Sequence, residues 1–312
     1  MPATPPLDRL IAEAVEPVEA TLRMAGVIAA DVAEAVDPVR VADGDGAHPD
    51  WLEARDPEYI RETLPALRAM SRLYFRGEVL GLEHIPAEGP VLLVGNHSGG
   101  TLIADTFVFA QAFYDFFGPE RRFHQLAHDL VFRVPGVRAS LSRYGTVPAS
   151  PDNMRRALDA GAALLVYPGG DHETYRPSWE SADIDFAGRT GFARLALELG
   201  VRVVPVVAIG GQETALFLGQ GHRLARRLGV DRLLRLKVVP AQVGPPFGLT
   251  VLDLPARIPL PAKITVRVLP PIDLAALLGS DADPERAYAV VTDVMQRTLR
   301  RLADERTLPI VG

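Results

Sequence analysis

The sequence predicts an α/β fold: a largely parallel sheet flanked by helices, carrying an N-terminal helical appendage. Three observations predict it. Short, unbroken apolar runs such as VLLVGN (91–96) read as strands buried on both faces. Helical segments alternate with these runs. Apolar residues make up 48% and charged residues 23% of the 312, which is enough to build a sizeable core and excludes a mainly disordered chain. The expected organisation is a helical region over 1–75, an α/β domain over 76–275, and a C-terminal helix and tail over 276–312 packed on the same domain.

Leu10, Ile11, Ala14, Val18 and Leu22 recur at helical spacing, with Pro17 kinking or breaking the run near Val15. Val27, Ile28, Val32 and Val36 carry a second helix that Pro38 ends. VADGDGAHPD (41–50) has no periodicity and reads as a loop, and a further helix fits about 57–75. The α/β pattern starts near Val79. After 91–96, strands are expected at 123–127, 163–168, 201–209, 234–239 and 263–269. Between them, Ser150 is placed to cap a helix that Pro151 opens and Gly161 closes. RTGFARLALELG (189–200) ends at Gly200 in the same way. The proline-rich run 239–261 reads as a loop. Among ionisable side chains, 33 are basic and 39 acidic, a net charge of −6, which argues against a generally basic nucleic-acid binder. The absence of cysteine excludes disulfides, a thiolate nucleophile and Cys-ligated metal. The N-terminus shows no secretory pattern, and no run offers the ~20 apolar residues of a membrane helix.

In a parallel sheet the site lies beyond the carboxyl ends of strands, which singles out the segments after Val94 and Val166. The first is Asn96-His97-Ser98-Gly99-Gly100, with Asp105 following. A neutral imidazole there can take a proton from a hydroxyl, and a carboxylate can fix its tautomer. Asp105 lies eight residues on, about two helical turns, and so could share the face of His97. The bland alternative is a capped strand end, with Asp105 paired to an arginine. A serine hydrolase elbow, G-x-S-x-G, fails because Asn96 stands two residues before Ser98. The second segment runs from Tyr167 through Gly169, Gly170 and Glu173 to Arg176. Its glycines could present N–H groups to an oxyanion, and Arg176 could offer donors to a phosphate. The alternative is an ordinary strand-end turn. His124 and His128 are four apart, but the stretch reads as a strand, so no metal site is expected. The phenylalanines between 107 and 117 read as core, or as the lining of an acyl channel. His222 to Lys237 holds six basic residues and one acid. Its arginines Arg223, Arg226, Arg227, Arg232 and Arg235 suit either a solvated helix or an anionic membrane surface.

These blocks resemble the glycerolipid acyltransferase superfamily, and within it the monoacylglycerol and diacylglycerol acyltransferase-like branch. Asn96-His97 matches the start of the first block and Gly145-Thr146-Val147-Pro148 resembles the second. Tyr167-Pro168-Gly169-Gly170 matches the Phe-Pro-Gly-Gly form of the third, and Val204-Pro205-Val206 the fourth. The likeness runs in order from about Phe75 to Asp273. It implies acyl transfer to a lipid hydroxyl, His97 acting as general base and acyl-CoA serving as co-substrate with no bound cofactor or metal. Asn96, Ser98, Gly99, Gly169, Gly170, Glu173 and Arg176 are the expected substrate and oxyanion residues. The expected partners are acyl-CoA, a lipid acceptor and a membrane surface, with no nucleic acid. The expected location is cytoplasmic, peripheral on the inner face of the cell membrane. Two departures stand out. The family's Asp follows its His by five positions, where this chain has Leu102; either an extra turn is accommodated or Asp105 is not the partner. The usual Glu of the third block is Gly169, which leaves neutral acceptors open. An inactive lipid-binding or scaffold protein of the same fold is the alternative reading; a serine esterase is a further one.

Overall fold

A computed structural model describes residues 50–100, 103–133, 135–221, 240–244, 248–250, 259–306 and 308. The expected helices before residue 49, the strand over 234–239 and the five arginines of the 222–237 stretch lie outside the described residues.

The main sheet has seven strands: β1 (Glu78–Leu80), β2 (Val91–Gly95), β3 (Phe123–Ala127), β4 (Thr146–Pro148), β5 (Ala163–Val166), β6 (Val203–Ile209) and β10 (Thr265–Val268). Their order is β1-β10-β6-β2-β5-β3-β4. The five strands from β6 to β4 run parallel, and β10 joins β6 antiparallel, so the β1–β10 edge runs against the rest.

Strand alternation sorts the apolar residues into two cores. Val91 and Leu93 of β2, with Val204, Val206 and Ala208 of β6, face one layer. That layer holds helix α1 (Pro57–Ala69), which continues as a π-helical turn to Tyr74, and helix α2 (Ala104–Phe117). Phe109 and Phe113 of α2 are fully buried there, and Phe113 stacks on Phe123 at 4.6 Å, so these aromatics are core. Leu92 and Val94, with Val203, Val207 and Ile209, face the opposite layer. After α3 (Pro135–Arg143) come helices of that second layer, α4 (Pro151–Asp159) and α6 (Gly191–Leu199), with the four-residue α5 (Asp171–Thr174) between them. The layer is closed by α7 (Leu274–Leu278) and the long α8 (Pro284–Glu305). Ala287, Val291, Met295, Leu299 and Leu302, spaced three and four apart, put the apolar stripe of α8 on β6 and α6. Asp283 caps α8 by accepting from the Arg286 N–H at 2.9 Å, and Ser150 caps α4 as its sequence implies.

Two expectations are corrected. The run 239–261 is not all loop. Ala241–Gly244 (β8) and Gly248–Thr250 (β9) pair with Leu216–Gly219 (β7) in a second, antiparallel sheet of order β7-β8-β9. The glycine and proline content masked this, because strands of three or four residues leave too little alternation to read. The helix after His97 also begins later than expected, at Ala104. Gly99 and Gly100 both take positive φ, which breaks the helix before it can start.

Candidate active site

The carboxyl ends of β6, β2 and β5 lie side by side, so the loops after Gly95, Val166 and Ile209 meet at one edge of the sheet. Asn96 holds the first loop to the sheet. Its side chain donates to Ala208 O and accepts from Ala208 N–H, both at 2.8 Å, continuing the β2–β6 ladder with an amide in place of backbone. His97 then leaves the sheet. Gly95 makes room for its neighbour: a Cβ there would lie 2.5 Å from the ring of Tyr167. That ring stacks on His97 at 4.1 Å and 20°. The Tyr167 hydroxyl accepts from Thr106 Oγ1 at 2.8 Å.

Asp105 reaches His97 by a different route from the one its spacing suggests. It is not two turns along the same helix; it is the second residue of α2, brought back by the loop before that helix. The Asp105 carboxylate accepts from Ser98 N–H at 3.1 Å, Ser98 Oγ at 3.2 Å and Thr106 N–H at 2.8 Å. Its Oδ1 lies 3.8 Å from His97 Nδ1, too far for a hydrogen bond, and that buried nitrogen has no other partner. The Ser98 hydroxyl donates to Asp105 and not to an imidazole nitrogen, so the Ser–His pair of a serine hydrolase is not formed.

The second loop supports the first from below. Glu173 is fully buried and accepts the His97 backbone N–H at 3.1 Å. Arg176, also buried, donates to its other oxygen at 3.2 Å and to Asp183 O. Arg176 is thus turned inward as the counter-ion of Glu173. Gly170 N–H donates to Tyr167 O at 3.1 Å, closing the turn, while Arg189 binds the carbonyl of Gly169 at 2.8 Å and Asp171 at 3.0 Å. The Gly99 N–H is taken by Gln212 Oε1 at 3.3 Å, and Gln212 Nε2 donates to Arg176 O. Gln212 therefore bridges all three loops. A bidentate pair between Arg306 and Glu213, at 2.8 and 3.0 Å, anchors its turn to the end of α8.

Burial sets the proton states. It holds the His97 imidazole down to about 3, with Arg176 adding to the effect, so the ring is neutral at physiological pH. Burial pushes Asp105 up to about 6 against the donors that oppose it, and Glu173 up to about 7 against Arg176. The His97 side chain keeps 11% of its surface exposed, so the imidazole is not fully sealed. By contrast, His124 is buried on β3 with Nδ1 3.0 Å from Gly145 O. A proton taken up by His97 would be stabilised by the Asp105 carboxylate 3.8 Å away.

The structure brings Asn96, His97, Ser98, Gly99, Asp105, Gly169, Gly170, Glu173 and Arg176 together at this edge. Tyr167 as a stacking partner, Thr106 and Gln212 were not legible as site residues. The position of Gln212 directly after Gly210-Gly211 at the end of a strand is the one signal that could have marked it.

A family described as Acyltransferase matches residues 76–209. An uncharacterized protein of Mycobacterium leprae is 28% identical over 247 residues, covering 79% of this chain and 64% of its own. The Bos taurus protein named DGAT1/2-independent enzyme synthesizing storage lipids is 32% identical over 193 residues, covering 62% of this chain and 55% of its own. The chain therefore spans less than two thirds of the length of these curated relatives. Among solved structures, the 1-acyl-sn-glycerophosphate (LPA) acyltransferase PlsC from Thermotoga maritima shares the fold, with a TM-score of 0.50 and 17% identity over 94% of this chain and 99% of that one.

Proposed function

We propose that this chain, whose residues 76–209 match the Acyltransferase family, transfers a fatty acyl group from acyl-CoA to a lipid hydroxyl, with His97 as general base. The observation that carries this reading is the neutral His97 imidazole at the carboxyl edge of β2, partly open and facing a buried carboxylate 3.8 Å away. With Nδ1–H directed at Asp105, Nε2 has a free lone pair for the proton of the acceptor hydroxyl. The acceptor oxygen attacks the thioester carbonyl, the tetrahedral intermediate collapses, and the departing CoA thiolate takes the proton back from His97. The free enzyme is restored, and the products are an ester and CoA. Each transfer makes a transient imidazolium in a buried site, where the Asp105 charge counts most. The Gly170 N–H is used within its own turn, which leaves the Gly169 N–H as the candidate oxyanion donor of the pair.

Arg176 neutralises Glu173 and is not presented to a ligand, and the third block carries Gly169 where the usual motif has Glu. Both features favour a neutral glycerolipid acceptor over one bearing phosphate. No described helix is long and apolar enough to cross a membrane. The location we propose is peripheral, on the inner face of the cell membrane.

The test is incubation of purified protein with labelled acyl-CoA and mixed glycerolipids. Labelled ester should form with wild type and vanish with His97→Ala at unchanged melting temperature. Equal turnover in the variant would remove His97 as the base. No product with any acceptor would favour the inactive lipid-binding protein.

A further inference from the structure

The β7-β8-β9 sheet has two unlike faces. Phe217 and Gln242 are cross-strand partners and both are buried, with Phe217 edge-on to Tyr175 at 6.1 Å. That face lies on the domain beside Arg176. On the other face, Leu216 stands opposite Val243, and Val243 opposite Leu249, in one row across all three strands. Every member is exposed, Leu249 by 67% and Leu216 by 46%, and exposed Leu218 follows on β7. Trp179, 67% exposed, is fastened to the same sheet through its neighbour. The Ser178 hydroxyl accepts from Phe217 N–H at 2.9 Å and lies 3.4 Å from the carbonyls of Gln212 and Ala215.

We propose that this face, Trp179 with Leu216, Leu218, Val243 and Leu249, seats the protein on an anionic lipid bilayer. The inference rests on the lipid-acyltransferase reading. A contiguous apolar face that water covers is unfavourable unless something else covers it, and three features choose lipid. An exposed tryptophan beside aliphatic side chains suits the boundary between headgroups and acyl chains. The connection from β7 to β8 includes 222–237, which carries six basic residues to one acid, a composition that suits anionic headgroups. The sheet also springs directly from the turn holding Gln212, which bonds to Gly99 beside the candidate base.

The test uses the full chain with vesicles of phosphatidylcholine, with and without phosphatidylglycerol, and with brominated acyl chains. The chain has two tryptophans; Trp51 packs on Phe132 at 4.9 Å, and Trp179 is the reporter. Anionic vesicles should shift the emission to the blue and brominated lipid should quench it, and both effects should be lost in Trp179→Phe. Leu216→Ser with Leu249→Ser should lower vesicle partitioning by about tenfold or more at unchanged melting temperature, since both side chains are already exposed. Emission indifferent to vesicles, or a double variant that partitions like wild type, overturns the proposal. So does an emission shift that follows protein concentration without lipid alongside a dimer in sedimentation, because the face would then belong to a second copy. Acylation of detergent-dispersed lipid by a protein that ignores vesicles would sink the docking face and spare the enzyme, and vesicle binding without turnover would do the reverse.

Discussion

Replacing Asp105 by Asn asks whether a contact that is not yet a hydrogen bond carries the chemistry. Its Oδ1 is 3.8 Å from His97 Nδ1. In the proposed reaction His97 takes the acceptor proton, and the new cation faces this carboxylate. Two unit charges at that separation attract by about 4 kcal/mol at an effective dielectric of about 20. Removing one should slow kcat/KM by about a thousandfold. Stability should change much less, because two effects oppose each other. Asn offers one acceptor oxygen where Ser98 N–H, Ser98 Oγ and Thr106 N–H now share two, and an unpaired buried donor costs about 1–3 kcal/mol. Against that, the raised pKa of Asp105, about 6 against an ordinary 3.8, is a burial penalty of about 3 kcal/mol on the ionised form. The sign matters: the fold favours the protonated form, so the associated stability is present below 3.8 and lost as pH rises through about 6. The melting temperature of Asp105→Asn should therefore stay close to wild type at pH 8 and fall below it at pH 4. Activity runs the other way. The ionised form supports catalysis, so the wild-type rate should rise through about pH 6, and the variant should lack that limb. A variant with kcat/KM within threefold of wild type, or with the limb retained, would refute the assignment.

Three further outcomes follow from the same geometry. Glu173→Ala strands the buried Arg176 guanidinium and the His97 N–H and should cost about 3–5 kcal/mol in urea unfolding, with part recovered on adding Arg176→Met; additive losses would show that the pair is not coupled. Gly95→Ala drives a Cβ to within 2.5 Å of the Tyr167 ring and should cost about 1–3 kcal/mol, with a drop in turnover as the ring slides off His97; an unchanged rate would show that the stacking is dispensable. Ser150→Ala removes the cap on α4, far from the site in function, and should lower stability by about 1 kcal/mol by thermal melting while leaving kcat untouched.

Legibility in the sequence followed the length of the periodic signal. β2 and β6 were readable because four or more apolar residues in a row have few uses other than a strand covered on both sides, and both strands divide their side chains between two cores. The Ser150-Pro151 and Gly200 boundaries were readable because capping is local chemistry. The β7-β8-β9 sheet was not, since its strands are three or four residues long and its pairing is made by contacts remote in sequence. At the site, chain order gave His97, Asp105, Glu173 and Arg176 as chemically able residues. What it could not give is direction. Arg176 reads as an open cation and is in fact the internal partner of Glu173. Asn96 reads as a substrate contact and is a surrogate for backbone.

Direction also resolves the spacing that sets this chain apart. Eight residues from His97 to Asp105 would, on one helix, place both on a common face; five is the usual interval. Here the interval is mostly not helix. Two consecutive positive-φ glycines hold the chain out of helical geometry, and α2 starts only at Ala104. A Cβ on Gly99 would lie 2.7 Å from Gly211 O, so the β6 loop closes on this turn. The added length is absorbed before the helix, and Asp105 falls in its first turn, where its carboxylate bonds the Thr106 N–H and meets the positive end of the α2 dipole. A carboxylate fixed by three donors can orient an imidazole whatever its distance along the chain. Spacing in such a motif is therefore a statement about where the helix begins, and the loss of a fixed interval is not by itself the loss of a catalytic pair.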